Sequence, residues 1–180
     1  KRAFSTGQVM VVLVTGTPVF TAKKHFVAKL LQLHPEITTI LQNINDRRTS
    51  LVLGDREKVL YGPGTIVDQL CGCTFRISAK SFYQINPVQT EVLYNKAMEF
   101  AGLSGKEEVL DAYCGIGTIG LVAAKRGAGQ VLGVEVNPDA VRDAIQNAKE
   151  NGAKNAWFTC GDAGDFLEEA ALNGERWDVV

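Results

Sequence analysis

Apolar and polar positions follow one rhythm up to about residue 80 and another after it. Residues 8–15 are rich in β-branched side chains and lie between Gly7 and Gly16, which predicts a strand. Residues 21–33 place Phe26, Val27, Leu30, Leu31 and Leu33 at helical spacing, and Pro35 closes that helix. Residues 37–45 alternate as a strand, and residues 58–61, 66–70 and 74–78 predict short strands between Gly and Pro turns. Residues 1–80 therefore read as a small α+β domain.

From residue 81 the pattern changes. Pro87 opens a helical run to Gly102 with Val88, Val92, Leu93, Ala97 and Phe100 on one face. Strands at 109–111, 131–136 and 157–160 then alternate with helices at 117–127, 138–151 and 163–172, and a fourth strand starts at Trp177. Strand–helix alternation with short Gly-containing turns predicts an α/β domain with a parallel, doubly wound sheet over residues 81–180. The fourth strand has no turn after it at Val180, and the chain reads as truncated there.

Composition narrows the class. The chain is 46% hydrophobic and 22% charged, and no apolar run approaches the roughly 20 residues that span a bilayer. No secretory leader pattern opens the sequence, so a cytoplasmic protein is expected. Residues 1–80 carry eleven Lys/Arg and five Asp/Glu, whereas residues 81–180 carry eight and fifteen, giving +6 and −7. A basic half can face phosphates, but an excess this modest does not by itself establish a nucleic-acid partner. Cys71, Cys73, Cys114 and Cys160 lack metal-site spacing, and all four are expected to be buried, unreactive residues with no metal bound.

In an open α/β sheet, ligands sit beyond the carboxyl ends of the strands. After the first strand of the second domain come Asp111, Tyr113, Cys114, Gly115, Gly117, Thr118 and Gly120. Gly115 and Gly117 remove side chains where the turn passes close to a ligand, and the helix behind them points its N–H groups there. Spacing alone also fits a dinucleotide fingerprint. Asp111, however, suits the cationic α-amino group of a methionine moiety and would repel a pyrophosphate, which favours S-adenosylmethionine over NAD. Glu135, followed by Asn137 and Pro138, can accept hydrogen bonds from ribose hydroxyls. Asp162 can accept from an adenine amino group, or cap the next helix. Three acidic strand ends around one glycine loop indicate a class I S-adenosylmethionine-dependent, Rossmann-like methyltransferase fold.

Ser81, Phe82, Gln84 and Asn86, with Asp111, Tyr113, Cys114, Gly115, Gly117 and Thr118 beginning 27 residues after Gln84, make a paired signature. It resembles the RNA uracil-5-methyltransferase family, which makes 5-methyluridine. The resemblance extends upstream through residues 6–10 and 42–45. It implies that Gln84, Tyr113, Glu135 and Asp162 contact the cofactor, with Thr118 beside the methionine end. It also implies that Phe82 and Gln84 border the target uracil, although Phe82 also reads as a core aromatic. RNA is the implied partner, and the ribosomal branch is the nearer one by its wording.

The resemblance implies covalent chemistry. A cysteine thiolate adds to uracil C6, the resulting enolate takes the methyl at C5, a base removes the C5 proton and the cysteine departs. In the family that cysteine and base follow the fourth strand, beyond Val180. No catalytic residue is therefore assigned, and the isolated chain is expected to be inactive. Other readings remain: a class I methyltransferase acting on protein or a small molecule, an NAD-dependent oxidoreductase, or a non-catalytic RNA-binding module.

Overall fold

The computed structural model describes residues 1–180, which group into two compact units. The first holds Lys1–Asp68 and Ile77–Lys80, and the second holds Gln69–Arg76 and Ser81–Val180. A turn of the chain, residues 69–76, thus groups with the second unit rather than the first.

In the first unit, β1 (Val9–Thr15) runs parallel to β2 (Ile37–Ile44), with α1 (Lys23–Leu33) as the crossover. β3 (Arg56–Tyr61) pairs antiparallel on the other edge of β2, giving the order β1-β2-β3. The expected alternation of β2 is absent, because a central strand here is buried along almost its whole length. Its polar residues are spent on neighbouring chain. The Asn43 amide pairs with both the N–H and the carbonyl of Gly54, at 2.7 and 3.0 Å. A Cβ on Gly54 would lie 2.1 Å from the Ile44 carbonyl oxygen, so the close approach requires glycine. Helix α1 differs from expectation in another way. It starts at Lys23 without a side-chain cap, none of its residues is fully buried, and Leu33 is exposed.

β4 (Ile66–Leu70) and β5 (Cys73–Ile77) form a hairpin, with Cys71 and Gly72 at its turn, both at positive φ. In the second unit α2 (Pro87–Ala101) starts behind Asn86, whose side chain accepts the Gln89 N–H, and ends at Gly102 in the left-handed conformation. Its buried residues are Thr90 and Tyr94. The apolar face expected from Val88, Val92, Leu93 and Phe100 is instead exposed, because the helix seats only a narrow Thr90–Tyr94 seam. Lys96 lies over the Phe100 ring, 4.7 Å from its centre.

β6 (Glu108–Asp111), α3 (Thr118–Lys125), β7 (Gln130–Glu135), α4 (Pro138–Glu150), β8 (Ala156–Cys160) and α5 (Ala163–Leu172) then follow as strand–helix units. β6, β7 and β8 pair in parallel in that order. Val179 bridges in parallel to Val109, and the Leu110 N–H reaches the Val179 carbonyl at 2.9 Å, so the expected fourth strand begins beside β6. Leu110, Val134 and Ala163 centre a core that also packs Leu132, Phe166 and Trp177. No helix is long and apolar enough to cross a membrane.

Candidate cofactor cleft

The carboxyl ends of β6, β7 and β8 converge as sheet topology requires, and each carries one acidic residue. Gly115 and Gly117 both adopt positive φ, at 55° and 80°, and Gly117 is the N-cap of α3. A Cβ on Gly117 would meet the Phe158 ring at 2.9 Å, whereas one on Gly115 would meet nothing within 4 Å. One glycine is thus needed for packing, and the other faces open space.

Asp111 turns its carboxylate into the first turn of α3, where Oδ2 accepts the Gly120 N–H at 3.0 Å. Burial raises its pKa to about 6, with the Glu135 charge adding to the rise and the Gly120 bond opposing it. Glu135 Oε2 accepts the Gly115 N–H at 3.0 Å and Oε1 accepts the Asn137 N–H at 2.8 Å. This carboxylate stitches the glycine loop to the turn after β7. Asn137 caps α4 by accepting the Asp139 N–H at 2.9 Å. Asp162 caps α5, with Oδ1 accepting the N–H groups of Gly164 and Asp165.

Around this frame Gln84 is exposed, as are Tyr113 at 79% and Phe82 at 73%, so Phe82 is not a core aromatic. The Thr118 hydroxyl lies 2.9 Å from that of Tyr94. The cysteines divide. Cys73 and Cys114 are buried, but Cys71, in the β4–β5 turn, is half-buried and Cys160, the last residue of β8, is exposed. Burial, with the Asp111 and Glu135 charges behind it, pushes the Cys114 thiol up to about 12. A groove of about 760 Å³ lies beside β6, lined by Phe100, Ala101, Leu110, Tyr113, Ile119 and Val180. Asp111 and Gly120 also line it, whereas Glu135 and Asp162 do not, so it adjoins the strand-end cleft on its β6 side.

Residues 103–180 match a family model described as a methyltransferase domain. The whole chain aligns with an uncharacterized RNA methyltransferase of Enterococcus faecalis at 48% identity, covering 39% of that protein. It aligns equally completely with one of Staphylococcus aureus at 47% identity, covering 40% of it. Over its whole length the chain is similar to these RNA methyltransferases, and residues 103–180 carry the methyltransferase-domain likeness. It spans about two-fifths of the length of these relatives. Among solved structures, the tRNA (uracil-54, C5)-methyltransferase of Pyrococcus abyssi in complex with S-adenosyl-L-homocysteine superposes with a TM-score of 0.72 at 25% identity. That match covers 90% of this chain and 38% of the other. TYW2 of P. horikoshii in complex with MeSAdo, at TM-score 0.56 and 22% identity over 87% of this chain and 54% of its own, shares the fold.

At the β6 and β7 ends, Glu135 joins Gly115 and Asn137 through hydrogen bonds, and Asp111 separately holds the first turn of α3 through Gly120. Asp162 stands at the end of the neighbouring strand β8. Thr118 is engaged by Tyr94 instead of standing clear in the cleft. Sequence reasoning missed two supporting residues, Tyr94 and Asn147. Asn147 is fully buried and donates to the Ile116 carbonyl at 3.1 Å. A polar residue on the buried face of an otherwise alanine-lined helix was the available signal for Asn147.

Proposed function

We propose that this methyltransferase chain is the S-adenosylmethionine-binding part of an enzyme that methylates C5 of a uridine in RNA. The observation that carries the reading is Glu135 holding the Gly115 N–H at 3.0 Å beside a turn open enough to admit a ligand. The charged strand ends are all acidic, which fits a cation and ribose hydroxyls and disfavours a pyrophosphate. Glu135 would accept the ribose hydroxyls, Asp162 the adenine amino group, and Asp111 would face the α-amino group. Gln84, Tyr113, Thr118 and Asn137 would border the cofactor, and Phe82 and Gln84 the target base. When bound, the cofactor supplies an electrophilic sulfonium methyl.

The uracil-5 assignment draws support from the paired signature at residues 81–86 and 111–118 and from the similarity to the P. abyssi tRNA enzyme. Ribosomal RNA is proposed as the substrate class over transfer RNA, on the wording of residues 82–86. The nucleophilic cysteine and the base are assigned to neither the buried Cys73 and Cys114 nor to Cys71 or Cys160.

The test uses the product of the full coding region that contains this chain. It is incubated with methyl-labelled S-adenosylmethionine and unmodified ribosomal or transfer RNA, and the RNA is digested to nucleosides. Label in 5-methyluridine from ribosomal RNA is expected. Label in another nucleoside sinks the uracil-5 reading, and label from transfer RNA alone reassigns the substrate. The 180-residue chain by itself is expected to transfer no methyl group to either RNA.

A further inference from the structure

Asn147 of α4 and Asn151 at its C-cap do the work of a neighbouring strand. The Asn151 side chain accepts the Thr74 N–H at 2.8 Å and donates to the Thr74 carbonyl at 2.6 Å. One helical turn earlier, the Asn147 side chain accepts the Arg76 N–H at 2.8 Å and reaches the Arg76 carbonyl at 3.4 Å. Residues four apart on a helix rise about 6 Å. Residues two apart on a strand advance about 6.7 Å. The two spacings match closely enough for one helix face to satisfy the free edge of β5.

The same face continues in both directions. Glu150 receives the Arg76 guanidinium at 2.6 Å, and Asp143 receives the Ser81 hydroxyl at 2.8 Å. Ser81 opens the segment that carries Phe82 and Gln84. Only Asn147 also turns toward the glycine loop, donating to the Ile116 carbonyl at 3.1 Å. Ile116 lies between Gly115 and Gly117, and it is itself buried. A buried amide with partners on both a strand and a loop leaves little freedom to either.

We infer that Asn147 is a positioning residue that fixes the glycine loop by tying the Ile116 carbonyl to the edge of β5. Its consequence for cofactor affinity rests on the reading above, but its effect on the loop does not. Asn151 provides the internal comparison, since it makes the same kind of strand contact and none to the loop.

The experiment compares Asn147→Ala with Asn151→Ala in the 180-residue chain. Amide exchange is read at Gly115, bonded to Glu135, and at Gly117, bonded to the Cys114 carbonyl at 2.8 Å. Loss of one such bond corresponds to roughly five- to ten-fold faster exchange at these amides in Asn147→Ala, against less than about two-fold in Asn151→Ala. Equal effects, or an unchanged loop in Asn147→Ala, overturn the inference. If the alanine variant does not fold, Asn147→Asp keeps the acceptor for Arg76 and loses the donor to Ile116, and the same exchange is expected of it. S-adenosylhomocysteine affinity is then measured by calorimetry. A fall of roughly five- to ten-fold in the Asn147 variant alone supports the role in the site. A loosened loop with unchanged affinity overturns that role. A wild-type chain that binds no S-adenosylhomocysteine removes the cofactor reading, while exchange still decides the loop.

Discussion

Glu135 and Gly115 are joined by a 3.0 Å hydrogen bond from the glycine N–H to Oε2, and the same carboxylate takes the Asn137 N–H on Oε1. One side chain therefore sets the loop after β6 and the turn after β7, while its remaining lone pairs are available for hydroxyl donors.

Glu135→Gln and Glu135→Ala separate these duties. The glutamine keeps an acceptor for one backbone N–H and gives up the charge. It is expected to lower S-adenosylhomocysteine affinity about ten-fold while costing less than about 1 kcal/mol of stability. The alanine leaves both N–H groups unpaired and is expected to cost about 2 kcal/mol in denaturant unfolding. Equal stability of the two variants would show that these backbone bonds contribute little.

Asp111 makes the second unit's stability pH-dependent. Its pKa rises on folding from 3.8 to about 6, chiefly through burial, so the folded state holds the proton more tightly. That advantage is full below about pH 4 and is lost as pH rises through about 6. Asp111→Asn retains an acceptor for Gly120 without a charge to bury. It is expected to be about 2–3 kcal/mol more stable than wild type at pH 8, with the gap closing toward pH 4. Urea unfolding at both pH values checks this, and a gap that widens in acid has the wrong sign.

The two loop glycines should fail differently. At Gly117 an alanine meets both left-handed strain and the Phe158 ring at 2.9 Å, so a loss above about 2 kcal/mol in unfolding free energy is expected. At Gly115 the strain remains but nothing lies within 4 Å. Gly115→Ala should cost only about 1 kcal/mol and act mainly on S-adenosylhomocysteine affinity. The reverse ranking of stabilities would contradict this division.

Much of this frame is legible in the residues themselves. Asp111, Glu135 and Asp162 could be placed because each stands at or just past the carboxyl end of a strand, and sheet topology brings strand ends together. The glycine turn was legible because Gly115 and Gly117 stand where α3 begins. What the sequence concealed depends on which surface covers which. The apolar residues of α2 look like a core face, yet the helix buries Thr90 and Tyr94, and Tyr94 takes up the Thr118 hydroxyl. Asn151 looks solvent-facing until β5 is laid along it, and Asp143 until Ser81 reaches it. Likewise, Asp162 reads as a ligand contact or as a helix cap, and Asn137 as a ligand contact. Their capping bonds are made in the structure, and for Asp162 both use Oδ1.

Thiol chemistry offers an independent check on the cysteines. Cys160 is exposed, whereas Cys73 and Cys114 are buried with thiols held above their ordinary pKa by desolvation. Cys160 is expected to be alkylated first by iodoacetamide at pH 8, and Cys73 and Cys114 only after denaturation. Peptide mapping over time reads the order, and early modification of Cys114 would contradict its placement behind the glycine loop.

The central claim is that the acidic strand ends and the glycine loop form an S-adenosylmethionine cleft. Its most direct test is a calorimetric titration of S-adenosylhomocysteine into the 180-residue chain, repeated with NADH present in excess. Saturable one-site binding that NADH leaves unchanged is the predicted result. No saturable binding, or binding that NADH abolishes, would contradict it.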